Sequence, residues 1–441
     1  MKKEIRHIII ILLALAWGNL PAQNKVWSLQ ECIDYAVANN LDVQKAVLDK
    51  ATTQLNYQQS KYDRLPSLSA NLSNNLANGS SIDPITSDFV SKSIYSNSIN
   101  LGSSVTLYSG NRANLQIEKN EILLSQNELS IEEARNNIKL SILEAYVQAL
   151  YYKESIDIAR NTEAASNEQL KQAQGQFDNG ALARKDLADI EAQHAANQHS
   201  IVVAANTYQQ QLLQLKQLLE LDPEVDFEIE IPAVEDDLNY VIPDKSSIYR
   251  EALNTLPDVR KYDVIKESSL KDLELARAGT LPTVSLSFGL GTGYTSSRDY
   301  SFGQQLDLNL SNSLGLSVSV PIFSKFTNRT NESLVKIELE QNQLNKQQAG
   351  KNLYQSIETA WLNAVNNQSE HSSSRAMRDA AELSYDLARK KYEFGGSTTT
   401  DLLLTQTTYI NAEQEYLQVK YMGLLYEQLL NYYQGKAINF E

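Results

Sequence analysis

The chain is poor in the residues that staple, ligate or punctuate: its 441 positions hold one cysteine, four histidines, nine prolines and seventeen glycines. The lone Cys32 excludes an intrachain disulfide framework and any metal site built on several thiolates. Its place in the helical pattern LQECIDYAVANN reads as a small, semi-buried apolar residue. Among the histidines, His194 and His199 are five apart rather than the four that sets two ligands on one helix face, so no metal is indicated. Basic residues are outnumbered 39 to 54, a formal charge of −15. Without clustered Lys and Arg to displace counterions, nucleic acid is excluded as a partner. Long apolar runs are also missing. The only candidate, Ile8 to Trp17, is half the roughly 20 residues that a bilayer-spanning helix needs.

That run follows Lys2, Lys3, Arg6 and His7 and precedes the small-residue cleavage point Pro21-Ala22, so residues 1–22 read as a secretory signal peptide. Its removal leaves 36 basic against 53 acidic residues, a charge of −17. No cysteine follows the cleavage region, so an amino-terminal lipid anchor is not indicated. The protein is expected to be exported, and to meet a membrane, if it does, by a route other than a transmembrane helix.

A prior of roughly 150 residues per domain suggests about three domains, but so few breakers predict long uninterrupted elements instead. The chain also resembles itself. Asp42-Val43 recur as Asp258-Val259 and Leu65-Pro66 as Leu281-Pro282; further on, Leu107-Tyr108 match Ile322-Phe323, Ala145-Tyr146 match Ala360-Trp361, and Asp186-Leu187 match Asp401-Leu402. An internal two-fold duplication is expected, with a first repeat over residues 23–221, an acidic connector over 222–245, a second repeat over 246–434 and a tail over 435–441. In each half a first helix, such as Ser28 to Arg64, stops before a Leu-Pro pair, because the residue before proline is pushed out of the α region. A second helix of about 65 residues, roughly 100 Å long, then turns near 177–187 or 392–402 and returns as an antiparallel partner. In the connector, Phe227 to Ile231 reads as extended.

Four short segments decide the fold class. Residues 67–77, 97–108, 283–292 and 313–323 alternate with period two, apolar Leu68, Leu72, Ile99, Leu286 and Leu316 against small neutral Ser69, Ser73, Ser98, Ser287 and Ser317. Long polar loops, Asn78 to Ser96 and Gly293 to Ser311, join each pair. About ten tilted residues with one apolar and one polar face is the pattern of a membrane β-barrel strand. Four strands cannot close, and an open edge in lipid leaves backbone groups unsatisfied. The barrel must be shared between subunits, in multiples of four that allow 8, 12 or 16 strands. Tyr95, Tyr108, Tyr294, Phe302 and Phe323 are placed for interfacial aromatic girdles.

The duplication, the Leu-Pro stop before each strand and the hairpin tips FDNGALARKDLADIEAQ and YEFGGSTTTDLLLTQ resemble the TolC-like outer-membrane efflux protein family. The tip pattern is an aromatic residue, a glycine three later, an acid six after that, then Leu: Phe177, Gly180, Asp186 and Leu187, and again Tyr392, Gly395, Asp401 and Leu402. The resemblance implies a mainly α fold with a membrane β-barrel contribution. It implies a homotrimer with a 12-stranded barrel in outer-membrane lipid, four strands per subunit, continuous with an α-barrel of long hairpins reaching into the periplasm. The implied function is a passive exit duct of a tripartite efflux system, served by a periplasmic adaptor (membrane fusion) protein and an inner-membrane transporter of the RND or ABC type, without cofactor. Residues Phe177, Gly180, Ala181 and Leu182, with Gly395, Gly396 and Ser397, would dock the adaptor, although a plain αα-hairpin turn needs the same glycines. Asp401, Asp186 and Asp189 would form acidic rings at the periplasmic gate, with Asp186 pairing Tyr392. Leu404 and Ser397 stand where some relatives carry an acid and a base.

Enzyme motifs are at chance level. Ser333 and Lys336 fit S-x-x-K inside an expected helix with no K-T-G after it, and Gly289, Gly291 and Gly293 open no helix. Two other readings remain: a type I protein-secretion channel, and a secreted periplasmic coiled-coil scaffold.

Overall fold

The computed structural model describes residues 26–82, 85–91, 93–232 and 240–440. The expected signal peptide and the acidic positions Glu235, Asp236 and Asp237 lie outside them. In chain order, the first half gives β1 (Val26–Trp27), α1 (Leu29–Asn39), α2 (Leu41–Tyr62), β2 (Ser67–Ala77), β3 (Ser80–Ile82), β4 (Phe89–Ser91), β5 (Ile94–Ser109), α3 (Arg112–Asp178) and α4 (Arg184–Leu218). After β6 (Glu228–Ile229) come α5 (Lys245–Thr255), α6 (Pro257–Ala278), β7 (Thr283–Thr295), α7 (Phe302–Leu308), β8 (Ser311–Ser319), α8 (Thr327–Glu393) and α9 (Thr399–Tyr433). The four main helices measure 11, 22, 67 and 35 residues in the first half and the same again in the second.

The sequence predicts one helix from Ser28 to Arg64, but the structure divides it at Asn40. That residue adopts φ −61° and ψ 136°, and its Oδ1 accepts the Asp42 backbone N–H at 2.9 Å, so it ends α1 and caps α2. Leu256, forced out of the α region by Pro257, makes the same break at φ −76° and ψ 132°. Ser28 starts α1 with a reciprocal capping box to Glu31. The loops also carry more structure than their polarity suggests. Strands β3 and β4 form a hairpin within 78–96, and α7 occupies 302–308. Buried Gln305 holds the latter loop by accepting Thr295 N–H at 2.9 Å and donating to the carbonyls of Thr295 and Tyr300.

Two compact units cut across the sequence halves. One, residues 46–131 and 257–350, contains the antiparallel sheet β2-β5-β7-β8. All four expected strands are present. The last ends at Ser319 rather than 323, where Pro321 has no N–H to give a ladder. Register puts Leu68, Ala70 and Leu72 opposite Ser103, Leu101 and Ile99, and Leu286, Phe288 and Leu290 opposite Leu316, Leu314 and Asn312, on one apolar face. Leu68, Leu72, Leu314 and Leu316 are each more than 60% exposed, so among the described residues nothing covers that part of the face. The other face carries Ser67, Ser69, Asn100, Ser104, Ser287, Gly289, Ser313 and Gly315. Strands β2 and β8 each have one unpaired edge. Tyr95, Tyr294 and Phe302 cluster at one end of the sheet, with successive ring centroids 6.3 and 5.4 Å apart.

The other unit, residues 26–45, 132–256 and 351–440 of the described chain, is helical. Its buried centre includes Tyr146, whose hydroxyl lies 3.0 Å from the Trp27 carbonyl and 2.8 Å from that of Glu230. It thus spans the parallel pair β1 and β6, and burial drives its pKa up. Residues 435–440 dock here as well: Ile438 is buried and the Phe440 ring sits 6.2 Å from that of Tyr146.

Candidate functional site

The two helical hairpins turn by one local device. At the end of α3, Gly180 N–H donates to Phe177 O at 2.9 Å and Ala181 N–H to Gln176 O at 2.8 Å. At the end of α8, Gly395 N–H donates to Tyr392 O at 3.0 Å and Gly396 N–H to Lys391 O at 2.8 Å. Each is a Schellman motif, which satisfies the last carbonyls and needs a left-handed residue. Gly180 and Gly395 supply it at φ +73° and +72°, and an added Cβ would meet nothing within 4 Å at either. Conformation rather than crowding selects glycine there.

The returning helices start three residues later, at the N-caps Ala183 and Thr398; the Thr398 side chain accepts the Asp401 N–H at 3.2 Å. Asp186 and Asp401 are therefore the third residues of their helices, where a carboxylate faces the positive end of the helix dipole. The tip spacing thus has a physical content: an aromatic in the last turn, glycine as the left-handed stop, an acid in the first new turn, and a leucine turned inward. That leucine is fully buried in both hairpins. Leu187 and Leu402 pack with Ala173, Ile190, Tyr385 and Tyr392 in one apolar cluster, and Phe177, Leu182 and Tyr409 close its margin.

The gate and docking candidates fall in different settings. Asp401 is exposed and accepts the Ser397 hydroxyl at 2.7 Å. Asp186 is half-buried. Asp189 is paired with Lys185 at 2.7 Å, a contact that raises the lysine pKa. Ala181 and Gly396 are exposed, and Arg184 lies over the Phe177 ring at 5.7 Å. Tyr392 is buried, and among the described residues its hydroxyl has no hydrogen-bond partner, so it is not paired with Asp186 of its own chain. Sequence reasoning missed Tyr385, whose hydroxyl accepts from Gln169 Nε2 at 2.7 Å deep in the hairpins. Its signal was its place two turns before Tyr392 on one face of α8.

The residues of the chance-level motifs make local contacts. Ser333 Oγ donates to the Arg329 carbonyl and Lys336 pairs with Glu332, both along α8. His194 is contacted by Ser166 and Gln198, each at 3.0 Å.

A sheet with an uncovered apolar face and open edges, joined to helical hairpins of 67 and 35 residues, is the build of an outer-membrane channel. The profile of the outer membrane efflux protein family matches residues 32–220 and 248–430, and the chain belongs to that family. The outer membrane protein TolC of Escherichia coli strain K12 is 23% identical over 438 residues, covering 96% of this chain and 85% of that protein. The CmeC outer membrane channel of Campylobacter jejuni superposes with a TM-score of 0.74 at 18% identity, covering 95% of this chain and 87% of that one. The open-state MtrE channel of Neisseria gonorrhoeae gives 0.72 at 20% identity, covering 92% and 88%. The protein is an outer-membrane efflux channel that extends into the periplasm.

Proposed function

We propose that three copies of the chain close a 12-stranded barrel in outer-membrane lipid and continue it as an α-barrel, forming the passive exit duct of a tripartite efflux system. The observation that carries this reading is the sheet: four strands, an exposed apolar face, and the unpaired edges β2 and β8. In lipid those edges must be satisfied, and only another copy can do it. The helices attached to the edge strands support it. Leu48, Leu55 and Tyr62 on α2 recur every seven residues and stand exposed, as do Leu334, Ile337 and Leu344 on α8 at the three-then-seven spacing of a packing seam. Pairs of cysteines, one along Ser67–Ala77 and one along Ser311–Ser319 of the same chain, in a Cys32→Ser background, test it. Registered pairs are expected to give an oxidised ladder that stops at three chains. A ladder ending at two, or none at any register, overturns the trimer.

The matched helix lengths, and the 216- then 215-residue separations of Leu29 from Lys245 and Arg184 from Thr399, support descent from one duplicated unit. Residues 1–22, 23–221, 222–245, 246–434 and 435–441 are accordingly the signal, first repeat, connector, second repeat and tail. The tips are the gate and the docking end. Threefold symmetry makes rings of Asp401 and Asp186, which favour cations, while Lys185 offsets Asp189. Tyr392 braces the gate from its buried cluster. Phe177, Gly180, Ala181 and Leu182, with Gly395, Gly396 and Ser397, present the turns to a periplasmic adaptor, and an inner-membrane transporter of the RND or ABC type supplies the energy. In planar bilayers, Asp401→Asn is expected to lower cation preference while leaving the trimer intact; unchanged selectivity would remove Asp401 from the gate.

A further inference from the structure

Between α3, α8 and α9, starting five residues beyond Asp401, lies a cavity of about 120 Å³ lined by Ile158, Thr162, Tyr385, Gln406, Tyr409 and Glu413 among others. All of it falls within the helical unit. Gln406 is 2% exposed, and its Oε1 is buried without a hydrogen-bond partner among the described residues, an acceptor in the cavity wall. The rings of Tyr385 and Tyr409 stack nearly parallel, 5.8 Å between centroids and 11° between planes. Glu413 brings a carboxylate whose pKa burial raises, with the Arg378 charge opposing that rise and Glu382 and Asp379 adding to it. The nearby cation Arg378 is already held by Asp379, at 3.0 and 2.7 Å, over the Tyr416 ring. Among the described residues Glu413 has no ion pair of its own.

A partly desolvated carboxylate, an aromatic wall and an orphan carbonyl oxygen complement one chemical group. An ammonium supplies the N–H donors, places its charge against the carboxylate and faces the ring quadrupole. We propose that this cavity binds a small organic ammonium ion, with Glu413 as counter-ion, Gln406 Oε1 as acceptor and Tyr409 as the ring wall. The site lies within one chain and does not depend on the trimeric reading.

Calorimetric titration of the full-length protein in detergent with n-butylammonium chloride at pH 7 tests it, with sodium chloride at equal ionic strength and neutral 1-pentanol as comparison probes. Saturable binding is expected for the ammonium alone. Glu413→Gln is expected to weaken it tenfold or more, the loss that follows when a charge-assisted contact is removed. Gln406→Leu weakens it several-fold, Tyr409→Phe stays within twofold because the ring is kept, and Asp401→Asn leaves it intact, separating this cavity from the acidic ring. Circular dichroism precedes each titration, and if Glu413→Gln does not fold, Gln406→Leu and Tyr409→Leu carry the test. The proposal is overturned by absence of saturable binding, by equal binding of pentanol, by binding that these variants leave unchanged, or by its loss in Asp401→Asn.

Discussion

Replacing Tyr392 by phenylalanine isolates one buried hydroxyl in the hairpin tips. Tyr392 is 7% exposed, its ring packs in the cluster that contains Leu187 and Leu402, and its hydroxyl makes no hydrogen bond among the described residues. A buried, unsatisfied polar group costs roughly 1–3 kcal/mol. Phenylalanine keeps the ring and removes that cost, so Tyr392→Phe should stabilise the tips by about that amount. Local opening should then become roughly five- to 150-fold rarer, at about 1.4 kcal/mol per factor of ten. Truncation to alanine gives the opposite sign, a loss of about 3–5 kcal/mol from the emptied ring site. Hydrogen exchange on the detergent-purified assembly reads both, from the amides of residues 177–190 and 392–405. Faster exchange in Tyr392→Phe, or a rise in open-channel conductance, would refute the reasoning. It would mean that assembly provides the hydroxyl with a partner, as the expected pairing with Asp186 requires.

Other substitutions separate effects that look alike in sequence. Gly110 and Gly395 both have positive φ, at +66° and +72°, but a Cβ on Gly110 would lie 2.7 Å from Leu281 Cβ and 2.9 Å from the Ala278 carbonyl. Gly395→Ala should cost only the conformational term, about 1–2 kcal/mol, while Gly110→Ala should lower the yield of folded protein; equal thermal stability of the two would contradict the distinction. Glu427 is half-buried on α9, and burial raises its carboxyl pKa above the ordinary 4.5. A raised folded-state pKa favours the neutral acid, so its stabilising contribution is present below about 4.5 and is lost as pH rises through the folded value. Glu427→Gln should therefore raise Tm at pH 7 and leave it unchanged near pH 4, as differential scanning calorimetry would record.

The parts of the fold that follow from local steric rules were legible in the sequence. Leu65-Pro66 and Leu281-Pro282 marked the helix-to-strand passages, period-two alternation marked all four sheet strands, and FDNGAL and YEFGGS marked both turns. What was hidden depends on side-chain hydrogen bonds or on distant partners. The Asn40 break has no proline to announce it; it rests on a side-chain oxygen that accepts the Asp42 N–H two residues on. Strand β1 is visible only through its pairing with β6, about 200 residues away. The tip candidates were found by spacing, but spacing could not tell the acid's electrostatic part from its helix-starting part. The buried Tyr385 and Gln406 were invisible because their meaning depends on three helices meeting.

The equal counts of 67 and 35 residues in the paired helices act as a gauge. One residue inserted in the middle of α3 would turn everything beyond it by about 100° and advance it about 1.5 Å. Ala173 would leave the cluster it shares with α4, α8 and α9, and the two turns would no longer end at the same step. Only matched changes in all four helices, in multiples near seven residues, keep the inward faces aligned. The reach of this molecule is therefore quantised: it can be lengthened or shortened in coordinated strides, and a single-residue change in any one helix is a change of shape rather than of size.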